Sequence, residues 1–139
     1  MAAITGVAEA VLYVQKLEPA MMFYVEALDL KPTAVFDDAC FLQASPDSTL
    51  ILFEIDALER RVSVIPAHGA RGRGHVAFAI PAKEMDSWRE RLLAHGVEIE
   101  HEQDWPLGTH SLYFRDPDQN SIELIDNTHY AQIWARLEK

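Results

Sequence analysis

The sequence predicts an α+β fold built from two βαβββ modules, and three observations carry that expectation. Short apolar runs with strand-like alternation open each half of the chain, a helical pattern follows each one, and matching segments recur at a nearly constant spacing. With 139 residues, 49% of them apolar, the chain is long enough to bury a core. We therefore expect one domain, residues 1–139.

EAVLYV, from Glu9, alternates as a strand does. In QKLEPAMMFYVEALDL, residues Leu17, Met21, Phe23, Tyr24, Leu28 and Leu30 recur at roughly helical spacing, with Pro19 acceptable in a first turn. TAVF, ACFLQA and TLILFEI are short runs rich in β-branched and aromatic residues, parted by the turn formers DD and SPDS. From His75 the order repeats. HVAFAI reads as a strand, AKEMDSWRERLLAHG as a helix with Met85, Trp88, Leu92 and Leu93 on one side, and Gly96 as its stop. VEIEHE, HSLYFRD and NSIELID supply three more strands, with PDQN as a turn. Module one thus spans about 7–57, a linker 58–73, module two 74–126 and a helical tail 128–139. In the tail, Tyr130, Ile133, Trp134 and Leu137 form an i, i+3, i+4, i+7 stripe that must find cover, on its own domain or on a second subunit.

Superposing EAVLYV on HVAFAI sets Glu9 against His75, 66 positions on, and superposing LFEI on IELI sets Glu54 against Glu123, 69 positions on. Such similar offsets indicate an internal duplication. Two modules, each a sheet covered on one face by a helix, would pair around a common cleft.

Strand side chains alternate between faces, so the large Val76, Phe78 and Ile80 turn to the helix while His75, Ala77 and Ala79 face the cleft. The same parity sends Glu9, Val11 and Tyr13 to the cleft, and Glu123 with them. Glu54 is expected there too. Carboxylates gathered away from water repel one another and lose solvation. A divalent cation compensates, and imidazole with carboxylate suits Zn, Ni, Mn, Co or Fe. The alternative for a single strand histidine is a hydrogen-bonded structural role.

Other features bear on ligands. The loop IPAHGARGRG concentrates His68, Arg71 and Arg73, either a solvated connection or a rim that holds an anionic substrate. Tyr113 and Ser111 share the cleft parity and are candidates to orient substrate, as is Tyr13. Trp105 in DWPLGTH lines the pocket mouth or covers the sheet end. In RDPDQN, Arg115 and Asp116 read as structural.

Composition narrows the partners. With 22 acidic residues against 12 basic and a formal charge of −10, nucleic acid and anionic membrane would be repelled, which leaves small molecules. The one cysteine, Cys40, permits no internal disulfide or thiolate cluster and reads as a small apolar filler. MAAITGVAEAVLYV lacks a basic leader and no apolar run approaches the roughly 20 residues of a membrane span, so a cytoplasmic protein is expected.

Through EAVLYVQKLEPAMMFYVEALDL, GHVAFAIPAKEMDSWRERLLAHGV and SLYFRDPDQNSIELID, the chain resembles the vicinal oxygen chelate superfamily over residues 7–126. Glyoxalases, bleomycin and fosfomycin resistance proteins and extradiol dioxygenases belong to it. The resemblance implies a glyoxalase-like fold in which the paired modules form a partly open eight-stranded barrel. It implies one divalent metal held by the first and last strand of each module, at Glu9, Glu54, His75 and Glu123. Neighbouring substrate oxygens would chelate that metal, an enediolate-type anion would be stabilised, and Glu54, Glu9 or Glu123 would move the proton in a lyase or isomerase reaction. Glu9 departs from the His or Gln common in glyoxalases, and one histidine with two or three carboxylates departs from the iron dioxygenases. A metal-free small-molecule binding protein of the bleomycin-resistance type is the alternative. A homodimer is expected by the same analogy.

Overall fold

Strand β1 (Glu9–Val14) feeds helix α1 (Leu17–Glu26), and the chain returns through β2 (Lys31–Val35), β3 (Ala39–Ser45) and β4 (Ser48–Glu54). The computed structural model describes residues 2–137, the last of them by its backbone alone. β1 runs parallel to β4, and antiparallel pairings complete the sheet order β1-β4-β3-β2. Parallel neighbours need a long crossover, which α1 begins.

Register explains the core of this half. Leu12, Val14, Leu50, Leu52, Cys40 and Leu42 share one face, and each is at most 5% exposed. Leu17, Ala20 and Tyr24 are the buried residues of α1. Cys40 is fully buried there, and burial pushes its thiol up to about 11, so it serves as packing.

After the short helix α2 (Ile55–Arg60) and a linker, the order recurs as β5 (His75–Ile80), α3 (Met85–Ala94), β6 (His101–Asp104), β7 (His110–Arg115) and β8 (Ser121–Asp126), followed by α4 (Tyr130–Leu137). Sheet order is β5-β8-β7-β6, with β5 parallel to β8. Contacts divide the chain between Gly72 and Arg73 into two compact units, each with its own four-stranded mixed sheet. Gly96, at φ 72°, ends α3 as expected, with the amide of Val97 bonded back to the carbonyl of Leu92.

Several expectations shift. Leu93 is 59% exposed, because it lies about 100° round the helix from the buried Leu92. Of the expected VEIEHE strand only His101 and Glu102 lie in β6, which runs on through Gln103 to Asp104 beside β7. Helix α2 was not expected, since six residues are too few to show a period. In the tail stripe Ile133 is fully buried, while Tyr130 and Trp134 are 46% and 37% exposed, and the Leu137 side chain lies outside the described residues.

The turn RDPDQN holds the second sheet together. Asp116 Oδ1 accepts the backbone N–H groups of Asp118 and Asn120, and Asp116 Oδ2 accepts the Asn120 side-chain amide. Asn120 Oδ1 in turn accepts the N–H of Gly74 at 2.7 Å, which ties the β7–β8 turn to the residue just before His75. Asp116 and Asn120 are both 2% exposed, so these bonds are shielded from water. No described helix is long and apolar enough to cross a membrane.

Candidate functional site

In the second unit, Ile122 and Leu124 pair with Val76 and Phe78, and Leu124 with Leu112, which makes one face of the sheet apolar. His75 and Ala77 therefore occupy the other face, beside Ser121 and Glu123 of β8 and Tyr113 and Ser111 of β7. On that face His75 Nε2 lies 3.2 Å from Glu123 Oε1. The histidine side chain is 49% exposed and the glutamate side chain 9%.

The imidazole is oriented by its other nitrogen. Nδ1 is 3.0 Å from the Ser121 carbonyl oxygen and 3.2 Å from Ser121 Oγ. A carbonyl oxygen can only accept, so Nδ1 carries a ring proton and Nε2 is the nitrogen turned to the carboxylate. Nε2 and Oε1 would then face each other through lone pairs unless a proton or a cation sits at the pair. Ligand bonds of about 2.1 Å to each atom place two neighbouring donors roughly 3 Å apart, so the observed spacing fits a shared divalent ion.

Glu123 is held from behind. Ser111 Oγ, fully buried, donates to Glu123 Oε2 at 2.6 Å, and Trp105 Nε1 donates to Ser111 Oγ at 2.9 Å. The Trp105 ring meets Trp134 of α4 edge to face, centroids 5.2 Å apart. A donor chain thus runs from the indole through the hydroxyl to the carboxylate, leaving Oε1 for His75. Tyr113 stacks near His75 with centroids 6.4 Å apart and planes 21° apart. Burial, then the charge of Glu123, pushes the Tyr113 hydroxyl up to about 12, so it remains an O–H donor.

The first unit holds the remaining expected residues. Glu9 is exposed at the head of β1, on the face of Val11 and Tyr13, and pairs with Thr49. Glu54 does not share that face. It pairs with Val14, on the buried side with Leu12 and Leu52, and its Oε2 accepts the backbone N–H of Leu17 at 3.3 Å, at the start of α1. The register matches Glu9 with Thr49 and His75 with Ser121, so the counterpart of Glu123 is Ile51 and that of Glu54 is Asp126. The apparent match of LFEI with IELI was three residues out of step, which turned Glu54 to the wrong side. Its placement among the metal ligands and bases is therefore corrected.

Tyr13 Oη and His68 Nδ1 lie 2.7 Å apart, so two expected ligand-facing residues meet. The rim arginines read differently from the expectation. Arg71 is bound by Glu59 at 2.7 Å and Asp56 at 2.8 Å, which satisfies its charge within the protein. Arg73 is exposed and its charge acts on Glu100, whose carboxyl is lowered chiefly by Arg115. Among the described residues, no three His, Cys, Asp or Glu side chains gather into a cation cage. The sequence reading missed Ser121, at the head of β8, which orients the His75 ring, and Asn120, which holds the backbone of Gly74 just before it. Ser121 precedes Glu123 by two in NSIELID and so shares its strand face, which was the available signal.

Duplicated βαβββ units, with a histidine heading one parallel strand and a glutamate beside it on the next, define a class of small α+β proteins built around an open sheet face. Residues 6–124 match the model of the Glyoxalase/Bleomycin resistance protein/Dioxygenase superfamily, and the chain belongs to that superfamily. It is 29% identical to the fosfomycin resistance protein FosX of Listeria innocua over 143 aligned positions, covering 98% of this chain and 97% of that protein. It is also 29% identical to catechol-2,3-dioxygenase of Bacillus subtilis over 125 residues, 86% of this chain, but spans only 41% of the dioxygenase. Among solved structures, lactoylglutathione lyase from Agrobacterium tumefaciens superposes with a TM-score of 0.83 at 31% identity, covering 90% of this chain and 96% of that one. The glyoxalase-like α+β class is thereby established.

Proposed function

We propose that the protein is a metal-dependent small-molecule enzyme of lyase or isomerase type, in which His75 and Glu123 are ligands of one divalent ion of Zn, Ni, Mn, Co or Fe. The observation that carries this reading is the 3.2 Å approach of His75 Nε2 to Glu123 Oε1, with Nδ1 committed to a carbonyl. An ion held by His75 and Glu123 would act as a Lewis acid toward neighbouring substrate oxygens, stabilising negative charge of the enediolate type. The protein's own groups do the rest. Ser111 and Trp105 fix Glu123, and the O–H of Tyr113 orients a substrate oxygen. The likeness to a lactoylglutathione lyase supports this reaction type over ring cleavage.

A metal-free binding module of the bleomycin-resistance type is the second reading, favoured by an apolar cavity in the first unit. Elemental analysis separates the two. Protein purified without added metal, then incubated with Mn, Ni, Zn or Fe and desalted, should retain about one ion per chain; protein that retains none is a binding module. A homodimer belongs to the proposal, and light scattering that returned the mass of a single chain would contradict that part.

A further inference from the structure

The first unit contains a cavity of about 490 Å³ whose chemistry selects a ligand class. Its size falls within the range of small-molecule sites, roughly 300–1,000 Å³. Phe36, Phe41 and Phe53 line it, with Leu58, Val64 and Ile65 from the helix and linker that follow β4. Phe41 and Phe53 belong to the sheet face that also carries Tyr13, so the aromatic floor is a product of strand alternation. Phe53 and His68 meet edge to face at 5.2 Å.

Charge decides what such a cavity accepts. Its lining includes one cation, Arg61, and one anion, Asp38, and these two are paired with each other. Arg71 is likewise taken by Asp56 and Glu59. An anionic ligand would have to give up its hydration without gaining an uncommitted cation from the lining, a cost of several kcal/mol for a carboxylate-sized ion. Two uncharged polar side chains remain, Ser63, whose Oγ accepts the N–H of Ile65, and His68. His68 lines the cavity with Nδ1 2.7 Å from Tyr13 Oη, and in the tautomer in which Nδ1 accepts the Tyr13 O–H, Nε2 carries the ring N–H.

We propose that this cavity binds neutral ligands with a flat aromatic body and one oxygen acceptor, the ring lying among Phe36, Phe41 and Phe53 and the oxygen accepting from His68. The class differs from the small phosphonate anion implied by a fosfomycin relative. The inference stands on the cavity of the first unit alone, so it holds whether or not metal is bound.

Saturation-transfer NMR and equilibrium dialysis on the full chain, with and without Mn²⁺, test it using 2-naphthol, 2-naphthoate and phenylphosphonate. 2-Naphthol should bind at least about tenfold tighter than either anion. Ala67→Trp, a change on the exposed linker that fills the cavity, should abolish its binding. His68→Ala should weaken 2-naphthol about tenfold while leaving naphthalene unchanged. Equal or tighter binding of 2-naphthoate or phenylphosphonate, or 2-naphthol binding that survives Ala67→Trp, overturns the proposal. Metal uptake without naphthol binding defeats the cavity reading alone, and naphthol binding without metal uptake defeats only the metal reading.

Discussion

Two glutamates of nearly identical local sequence take opposite fates because one residue of register decides which face a strand side chain meets. Glu123 pairs with Ala77, on the face of His75, whereas Glu54 pairs with Val14 and accepts the first amide of α1. A carboxylate near a helix N-terminus is worth roughly 0.3–1 kcal/mol, so Glu54→Gln should lower stability by about half a kcal/mol and leave metal affinity unchanged. Calorimetric metal titration and thermal melts of the same variant check both halves. A marked fall in metal affinity would return Glu54 to the site. Ser111→Ala should lower both stability and metal affinity. It strands a buried carboxylate oxygen, at a cost of about 1–3 kcal/mol, and should weaken metal binding about 10-fold to 100-fold.

At the scale of elements, the site depends on pieces that do not touch the proposed ion. Helix α4 reaches it through Trp134, Trp105 and Ser111, and Trp105→Phe keeps the aromatic contact while deleting the indole donor. Its metal affinity should fall about tenfold at an unchanged unfolding temperature; a fall in stability with no change in affinity would make Trp105 a packing residue. A second device ties α3, β6 and β7 through Arg89, Glu102, Asp104 and His110. Both ring nitrogens of His110 meet carboxylates at 2.7 Å, which requires both to carry protons. Burial alone would lower the His110 value, but the bonds to Glu102 and Asp104 outweigh it and the net shift is upward. The stabilisation is therefore present at pH below the ordinary imidazole value and is lost as pH rises through the raised one. Glu102, lowered to about 2 first by Arg89 and then by His110, contributes fully above the ordinary carboxylate value and loses that contribution progressively as pH falls toward about 2. Against His110→Gln, the wild type should hold its largest excess in unfolding temperature on the acid side of neutrality. An excess that grows with pH would contradict the assignment.

Elements with clean alternation were legible in the sequence: β1 and β5 begin and end where EAVLYV and HVAFAI do. The positions of His75, Ser111, Tyr113 and Glu123 on one face followed from parity alone. Glu54 was misread because a match of four letters cannot distinguish registers that differ by an odd number of residues. Arg71 was misread for another reason, since its partners Asp56 and Glu59 lie on α2, a helix too short to announce itself. Nothing in the local pattern of Phe36, Phe41 and Phe53 marks a cavity, because its walls come from segments that meet only in the folded unit.

For the whole molecule, a formal charge of −10 favours the approach of a cation and disfavours that of an anion. The two units repeat a strand order, yet chemistry has been kept unequally between them. Where the second carries Glu123 on the open face of its last strand, the first carries Ile51, and the first instead lines an apolar cavity. Isothermal titration of metal-free protein with Zn²⁺ or Mn²⁺, set against Glu123→Gln, tests the central claim most directly. The account predicts about one ion per chain for the wild type and an affinity at least about 100-fold weaker for the variant. Equal affinities, or no binding by the wild-type chain, would show that the His75–Glu123 pair holds no metal.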